Sequence, residues 1–144
     1  MIRKVTAEDK ALYLELIDEF YHSSAVLHPI PRAHYVDSFD EMCRTGGLLE
    51  GYIIEYGEKA AGYAAVARSY STEAGGLVVW IEEVYIRPAF QSKGLGRAFF
   101  DHMKELYPEA KRFRLEVERD NTRAIALYER LGYEVLDYVQ MVQQ

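Results

Sequence analysis

Hydrophobic and polar positions follow two different periods along the chain, which predicts a mixture of helices and strands. Near the N-terminus, apolar residues recur with the i, i+3, i+4, i+7 spacing of an amphipathic helix, at Tyr13, Leu16, Ile17 and Phe20. Thr6 stands three residues before Asp9, which is the capping-box pattern of a helix N-terminus. A short apolar run at residues 2–5 precedes this pattern and predicts a first strand.

The middle of the chain has the patterning of strands. A loop-like stretch at residues 21–31 and a second predicted helix at 33–44 lead to Gly46 and Gly47, which end that helix. Two predicted strands, at 48–56 and 60–70, flank the turn at Gly57 and Glu58, which is a hairpin signal. A third strand is predicted at 77–86, so this part of the sheet is expected to be mainly antiparallel.

The second half of the chain joins its strands through helices. Helices predicted at 94–107 and 121–131 enclose a strand at 113–117, and Pro108 and Gly132 end them. A last strand, or a hairpin with a bend near Asp137, is predicted at 133–142. The fold class is therefore α+β, with a mixed, mostly antiparallel sheet and four helices. No linker or repeat interrupts it, so residues 1–144 are expected to form one domain.

Composition argues against several classes of protein. Hydrophobic residues make up 49% and charged residues 28% of the chain, as in ordinary soluble globular proteins. No apolar run approaches the roughly 20 residues of a membrane span, and the N-terminus lacks a signal-peptide core. The one cysteine, Cys43, fits a reducing cytoplasm. A net charge of −6 argues against a nucleic-acid partner and permits cationic substrates such as amines.

A glycine-bearing turn is the first sign of chemistry. Residues 91–96 read Gln-Ser-Lys-Gly-Leu-Gly and lie between a predicted strand and a predicted helix. Unpaired N–H groups and the helix dipole at such a turn hold an anion, above all a pyrophosphate. Two other phosphate loops do not fit. A dinucleotide fingerprint needs glycine in place of Phe99, and a P-loop needs Gly-Lys followed by Ser or Thr, whereas Lys93 precedes its glycine. A Gly-x-Gly at a helix start is also often purely structural.

Two segments together resemble the GNAT superfamily, the acetyl-coenzyme-A-dependent N-acetyltransferases. Residues 81–96 are similar to the family's fourth strand and its Gln/Arg-x-x-Gly-x-Gly turn, and residues 121–133 are similar to its Asn…Ala…Tyr…Gly-aromatic helix. The likeness covers nearly the whole chain. It implies a GNAT-like fold in which central strands splay apart. It also implies the direct transfer of an acetyl group from acetyl-coenzyme A to a primary amine of a small molecule or peptide.

The resemblance implies a set of residues for acetyl-coenzyme A as co-substrate. The pyrophosphate is expected at the turn, on Gln91, Ser92, Lys93, Gly94, Leu95, Gly96 and Arg97. The pantetheine arm is expected along the strand backbone and past the following helix, at Val84, Tyr85, Ile86, Asn121 and Ala124. Backbone N–H groups of this strand would polarise the acetyl carbonyl, which is what an oxyanion site requires.

Two glutamates are candidates for the general base. A primary ammonium has an unperturbed pKa of about 10.4, so it must lose a proton before it attacks. Glu82 occupies the position where related polyamine-type enzymes place a carboxylate, and would act directly or through water. Glu83 is the alternative, because strand alternation sends the two side chains to opposite faces and a β-bulge could exchange them. The other interpretation is that both glutamates are solvated and take no part.

Tyr128 is the candidate general acid. It matches the family's helix tyrosine near the thioester sulfur, where it would protonate the departing thiolate. Periodicity alone favours a core tyrosine instead, since apolar residues surround it on the same amphipathic helix. Asn121 is predicted to cap this helix, which is compatible with a place near the pantetheine.

The acceptor has no signature in the sequence. The four histidines show no metal-ligand spacing, which predicts no metal site. The family builds its acceptor pocket in the region of residues 21–39, where the candidate contacts are Tyr21, His22, Tyr35 and Phe39. The alternative function is a catalytically weak acyl-coenzyme-A-binding or regulatory module on the same fold. A homodimer is left open.

Overall fold

The computed structural model describes all 144 residues and contains five strands and four α-helices. The strands are β1 (Ile2–Lys4), β2 (Leu49–Tyr56), β3 (Lys59–Ser71), β4 (Gly76–Ile86) and β5 (Arg112–Leu115). The helices are α1 (Lys10–Tyr21), α2 (Arg32–Cys43), α3 (Leu95–Leu106) and α4 (Thr122–Arg130). Single 3-10 turns at Ala7–Asp9 and Pro88–Phe90 precede α1 and the glycine turn.

The five strands form one sheet in the order in which they occur in the chain. β1 to β4 pair antiparallel, and β5 pairs parallel to β4. The parallel pairing runs only from Val78 and Arg112 to Ile81 and Leu115, although β4 continues to Ile86. The two strands therefore separate over the second half of β4, which is the splay that the resemblance implies.

Helices cover both faces of this sheet. On one face α1 and α2 bury a cluster that includes Tyr13, Leu16, Tyr35 and Phe39, together with Ile53 and Tyr63 of the sheet. On the other face α3 buries Phe99, Phe100 and Met103 against sheet residues that include Val66, Val79 and Ile81. α4 lies beside this second cluster, against which Tyr128 and Leu131 pack while only partly buried. Two layers of helices thus leave the separating ends of β4 and β5 accessible.

The predicted α+β class and mostly antiparallel sheet are confirmed. The predicted bounds of the second helix and of the later elements up to α4 differ from the observed ones by no more than two residues. The first helix also begins as predicted. The Asp9 carboxylate accepts a hydrogen bond of 2.8 Å from the backbone N–H of Thr6, and the Asp9 N–H donates to the Thr6 carbonyl.

The prediction of a last strand at 133–142 is wrong, because no strand follows α4. The alternative of a hairpin with a bend near Asp137 is wrong as well, since residues 133–144 contain no strand, turn or bend. The Tyr138 N–H donates only to the nearby Leu136 carbonyl, at 2.9 Å. Apolar residues occur at both odd and even positions of this segment, and Val135, Val139 and Met141 are each at least 90% exposed. Without one apolar face to bury, no pairing register is favoured over another.

Candidate active site

The opening between β4 and β5 contains a cavity of about 420 Å³. Its walls come from the bulged part of β4, the end of β5 with the residues after it, α4, and the end of α1 with the loop that follows. The lining residues are Phe20, Ala25, Leu27, Ile81, Glu82, Glu83, Val84, Leu115, Glu116, Val117, Glu118, Asn121, Ala124 and Tyr128. Four of these residues are glutamates and none is lysine or arginine, so the cavity suits a cation.

A β-bulge places both candidate bases at this cavity. Ala65 of β3 pairs with Glu83, and the next residue, Val66, pairs with Ile81, so Glu82 has no partner on β3. The extra residue breaks the strand's alternation locally. As a result both Glu82 and Glu83 line the cavity, instead of pointing to opposite faces as strict alternation requires.

Glu83 is the more enclosed of the two carboxylates. The Tyr21 hydroxyl donates to one of its oxygens, and the Tyr63 hydroxyl donates to the other at 3.1 Å. Burial raises the pKa of Glu83, while both tyrosine hydrogen bonds oppose this rise because they stabilise the ionised form. Glu83 is therefore a carboxylate fixed in position by protein donors.

Glu82 is the more exposed carboxylate, and no protein side chain donates a hydrogen bond to it. Partial burial and the nearby Glu116 carboxylate both raise its pKa. A raised pKa brings a carboxylate closer to neutral pH, where it exchanges protons more readily.

The glycine turn has the backbone geometry of an anion site. Ser92 (φ 61°) and Gly94 (φ 77°) both adopt the left-handed conformation, which Gly94 does without steric cost. The first hydrogen bond of α3 runs from the Ala98 N–H to the Gly94 carbonyl, at 3.0 Å. The N–H groups just before Ala98 therefore have no carbonyl of the helix to bond. A Cβ at Gly94 would meet no protein atom within 4 Å, so the space beside this turn is open.

Side chains tie the turn to α4. Arg123 donates to the Ser92 hydroxyl at 3.0 Å and to the Gln91 side-chain oxygen at 3.4 Å. Gln91 in turn donates to the Ile86 carbonyl at 3.2 Å. Arg123 was missed by the sequence analysis. The sequence did contain a sign of its role, because Arg123 is a cation two residues after the Asn121 cap, on the helix expected to face the cofactor.

α4 brings Asn121 and Tyr128 to the cavity. The predicted cap is confirmed, since the Asn121 side-chain oxygen accepts from the Ala124 N–H at 3.3 Å. Tyr128 lines the cavity and also packs edge-on against Phe100, with 5.6 Å between ring centroids. Burial raises the pKa of Tyr128, so its hydroxyl keeps its proton at neutral pH.

The structure separates the candidate acceptor contacts. Tyr21 lies against Glu83 at the cavity. Tyr35 and Phe39 are only 3% and 4% exposed in the core beneath α2, which makes them core residues instead of pocket residues. His22 is exposed, and its ring bonds the Asp18 carbonyl on its own helix. Phe20 and Leu27 form the wall instead; the sequence analysis missed them because Phe20 also fits the apolar face of α1.

Two further features of the molecule concern other kinds of site. Nowhere do three or more His, Cys, Asp or Glu side chains come together in a way that could hold a metal ion. No helix is long and apolar enough to cross a membrane.

Curated relatives match part of the chain. A spermine/spermidine N(1)-acetyltransferase of Bacillus subtilis (strain 168) is 38% identical over 60 residues, which is 39% of this chain and 39% of that protein. A thialysine N-epsilon-acetyltransferase of Caenorhabditis elegans is 37% identical over 87 residues, or 59% of this chain and 54% of that protein. The chain thus spans about two-fifths to about half of the length of these relatives.

Solved structures match the whole fold. A possible acetyltransferase from Clostridium difficile 630 superposes with a TM-score of 0.84 at 18% identity, over 100% of this chain and 96% of that one. The structure of AAC(6')-Iy in complex with a bisubstrate analogue of coenzyme A and acetylneamine gives a TM-score of 0.81 at 15% identity, over 100% and 97%. At these identities the likeness shows the fold alone. The sequence model of the acetyltransferase (GNAT) family matches residues 10–133, and the chain therefore belongs to that family.

Proposed function

We propose that this protein transfers the acetyl group of acetyl-coenzyme A directly to a primary amine. The observation that carries the proposal is the opening between β4 and β5. It has an anion-binding turn at the end of β4, and a cavity with two carboxylates and a tyrosine hydroxyl beside the separated strands. Family membership supports the same activity.

The cofactor's groups have matching partners along this opening. We assign its pyrophosphate to the backbone of Gln91 to Arg97, with Arg123 as an additional cation at the turn. The pantetheine arm is assigned to β4 from Val84 to Ile86, where β5 no longer pairs and the strand's outer N–H and C=O groups are available. Asn121 and Ala124 line the other side. A turn that binds through main-chain N–H groups needs glycine at the point of closest approach, which is what Gly94 provides.

Glu82 is the proposed base and Tyr128 the proposed acid. The amine gives a proton to the Glu82 carboxylate, directly or through one water, and its nitrogen then attacks the acetyl carbonyl carbon. As the carbon–sulfur bond breaks, the Tyr128 hydroxyl gives its proton to the departing sulfur. The attacking nitrogen still carries one proton more than an amide holds, and this proton passes to the ionised Tyr128 oxygen and restores its hydroxyl. The proton on Glu82 is released to solvent, so the reaction yields the amide, the free thiol of coenzyme A and one proton. Glu83, held by Tyr21 and Tyr63, supplies a fixed negative charge for the incoming ammonium.

A cationic amine is the proposed substrate class. The names of two relatives specify spermine, spermidine and thialysine, which all carry more than one amine. Four cavity glutamates without a basic neighbour agree with such substrates, because a second ammonium would be attracted to the same wall. Peptide amines remain in the class, since a lysine side chain presents the same group.

The decisive measurement is thiol release from acetyl-coenzyme A across polyamines, amino acids, aminoglycosides and peptides. We expect turnover with at least one cationic amine, and acetylation at nitrogen confirmed by mass spectrometry. Tight cofactor binding without turnover on any amine would favour the alternative, a catalytically weak acyl-coenzyme-A-binding or regulatory module. Absence of cofactor binding would contradict both.

A further inference from the structure

Three side chains at alternate positions, two on β4 and one directly after it, contact the end of α1. The Glu83 carboxylate accepts from Tyr21, the Tyr85 ring lies 5.9 Å from the ring of Phe20, and the Arg87 guanidinium binds Glu19. Residues 83, 85 and 87 point to the same face because a strand alternates with a period of two. Residues 19, 20 and 21 are the last three of α1. The end of the helix is therefore attached to β4, and to the residue that follows β4, by one contact at each of these residues.

Arg87 makes the most extensive of these contacts. Its Nε lies 3.2 and 3.0 Å from the two carboxylate oxygens of Glu19, and its Nη2 lies 2.8 Å from Glu19 and 2.9 Å from Glu15. Its Nη1 donates to the Ala60 carbonyl at 3.2 Å. The Arg87 side chain is 22% exposed. A guanidinium held at several atoms fixes the orientation of its partner as well as attracting it.

Arg87 lies at one end of this line of three contacts, and the cavity residue Glu83 lies at the other end. Arg87 follows the last residue of β4, and its own N–H donates to the Ala61 carbonyl at 2.8 Å. It is therefore anchored to the sheet. At the other end of the same contact line, Tyr21 is the last residue of α1, and helix ends fray unless something holds them. The Tyr21 hydroxyl bonds only to Glu83.

We propose that Arg87 is a positioning residue for amine binding. Its ion pair with Glu19 and Glu15 holds the last turn of α1 against β4 and thereby keeps the Tyr21 hydroxyl on Glu83. The proposal rests on the proposed function, because it takes the cavity as the amine site. Arg87 itself does not line that cavity, so its effect must pass through α1.

Loss of Arg87 has a predictable direction. When the end of α1 is released, Glu83 loses a hydrogen-bond donor that stabilises its ionised form. The pKa of Glu83, already raised by burial, then rises further. A smaller fraction of Glu83 is ionised at a given pH, and the ammonium binds less well. The glycine turn keeps its backbone, so cofactor binding is expected to change little.

The test compares Arg87→Gln and Arg87→Lys with the wild-type protein, using spermidine as the amine. We expect Arg87→Gln to raise the amine KM by about tenfold, with kcat and the Kd of acetyl-coenzyme A changing by less than about twofold. The acid limb of kcat/KM should move to higher pH, and Arg87→Lys should restore part of the loss. Arg44→Gln is the matched control, because Arg44 also pairs with a helix glutamate, Glu41, but directly follows α2 and does not line the cavity.

Two further measurements separate positioning from a general structural role. In a Tyr21→Phe background, Arg87→Gln should add almost nothing to the amine KM, because both changes act through one contact. Hydrogen exchange at the amides of residues 20–23 should be faster in Arg87→Gln than in the wild type or Arg44→Gln. Additive effects in the double variant, or unchanged exchange, would overturn the proposal.

The exchange measurement needs no turnover, so it tests the positioning role of Arg87 separately from the proposed acetyltransferase function. If no amine is acetylated by the wild type, the proposed function fails; the calorimetric Kd of spermidine then replaces KM in the comparison. Unchanged spermidine affinity in Arg87→Gln would then refute the positioning role by itself.

Discussion

Tyr128 combines two roles in one side chain, since its ring packs against Phe100 and its hydroxyl is at the cavity. Tyr128→Phe keeps the ring and removes only the proton donor. We expect turnover to fall by about 10²–10⁴-fold, the usual contribution of positioned acid catalysis, with little change in the Kd of acetyl-coenzyme A or in the unfolding midpoint. The measurement is single-turnover kinetics beside calorimetry. Unchanged turnover under conditions in which chemistry is rate-limiting would show that Tyr128 is a core residue and not the general acid.

The raised pKa of Glu82 predicts the shape of the pH profile. A base must be ionised to act, so kcat/KM of the wild type should fall below the pKa of Glu82, which lies above its ordinary value of 4.5. Glu82→Gln should lower turnover at neutral pH, and activity should recover partly as rising pH deprotonates the free amine. Glu83→Gln is the matched comparison, and we expect it to raise the amine KM more than it lowers kcat. Coinciding profiles for the wild type and Glu82→Gln would leave Glu82 without a role as base.

The structural role of a residue was predictable from the sequence where a short local spacing determines that role. The Asn121 cap and the capping role of Asp9 depend on local spacing, and both are present. The shared orientation of Glu82 and Glu83 depends on the pairing of β4 with Ala65 and Val66, some 17 residues earlier in the chain. No local pattern encodes that bulge. For the same reason Tyr35 could be placed in a pocket by region and yet lie in the core.

Among the elements, the glycine turn gives the sharpest comparison. Gly94 and Gly57 both have a left-handed φ, at 77° and 64°, and a Cβ at either would meet no protein atom within 4 Å. Alanine should therefore strain both turns equally, by about 1 kcal/mol. Only Gly94→Ala should also weaken acetyl-coenzyme A binding, by about tenfold or more, which is about 1.4 kcal/mol. Equal cofactor affinities in the two variants, measured by calorimetry, would show that acetyl-coenzyme A does not bind at this turn.

Elements with a clear period were predictable, and the last segment shows why others were not. β2 to β4 carry apolar runs bounded by glycine turns, so their bounds were predicted closely. The segment after Gly132 has apolar residues in high density, which suggests a strand by composition. Its exposed side chains show that composition without one-sided burial does not fix a strand.

At the scale of the whole molecule, a group of stabilising contacts and the proposed active site lie at opposite edges of the sheet. β1 lies at the sheet edge opposite to β5, and the cavity lies between β4 and β5. Near β1, the Asp9 carboxylate accepts hydrogen bonds from Arg3 at 2.8 and 2.9 Å and from the Thr6 N–H, while Arg3 also pairs with Glu55 of β2 at 3.4 Å. This group of contacts joins the start of α1 to two strands, far from the proposed reaction.

Asp9→Asn should therefore lower global stability and leave catalysis unchanged. The Arg3 guanidinium lowers the pKa of Asp9 from 3.8 to about 2 in the folded protein. Since the folded pKa lies below the unfolded one, the stabilisation is fully present above about pH 4 and is lost as pH falls toward about 2. At pH 7 we expect the variant to lose about 2 kcal/mol of unfolding free energy, the order of a hydrogen-bonded charge pair. The loss should shrink markedly in urea titrations near pH 3.

Asp101→Asn, at an exposed position of α3, is the control and should change little at either pH. A loss in Asp9→Asn that stays constant with pH would show that the carboxylate's charge contributes nothing to holding β1 and α1 together.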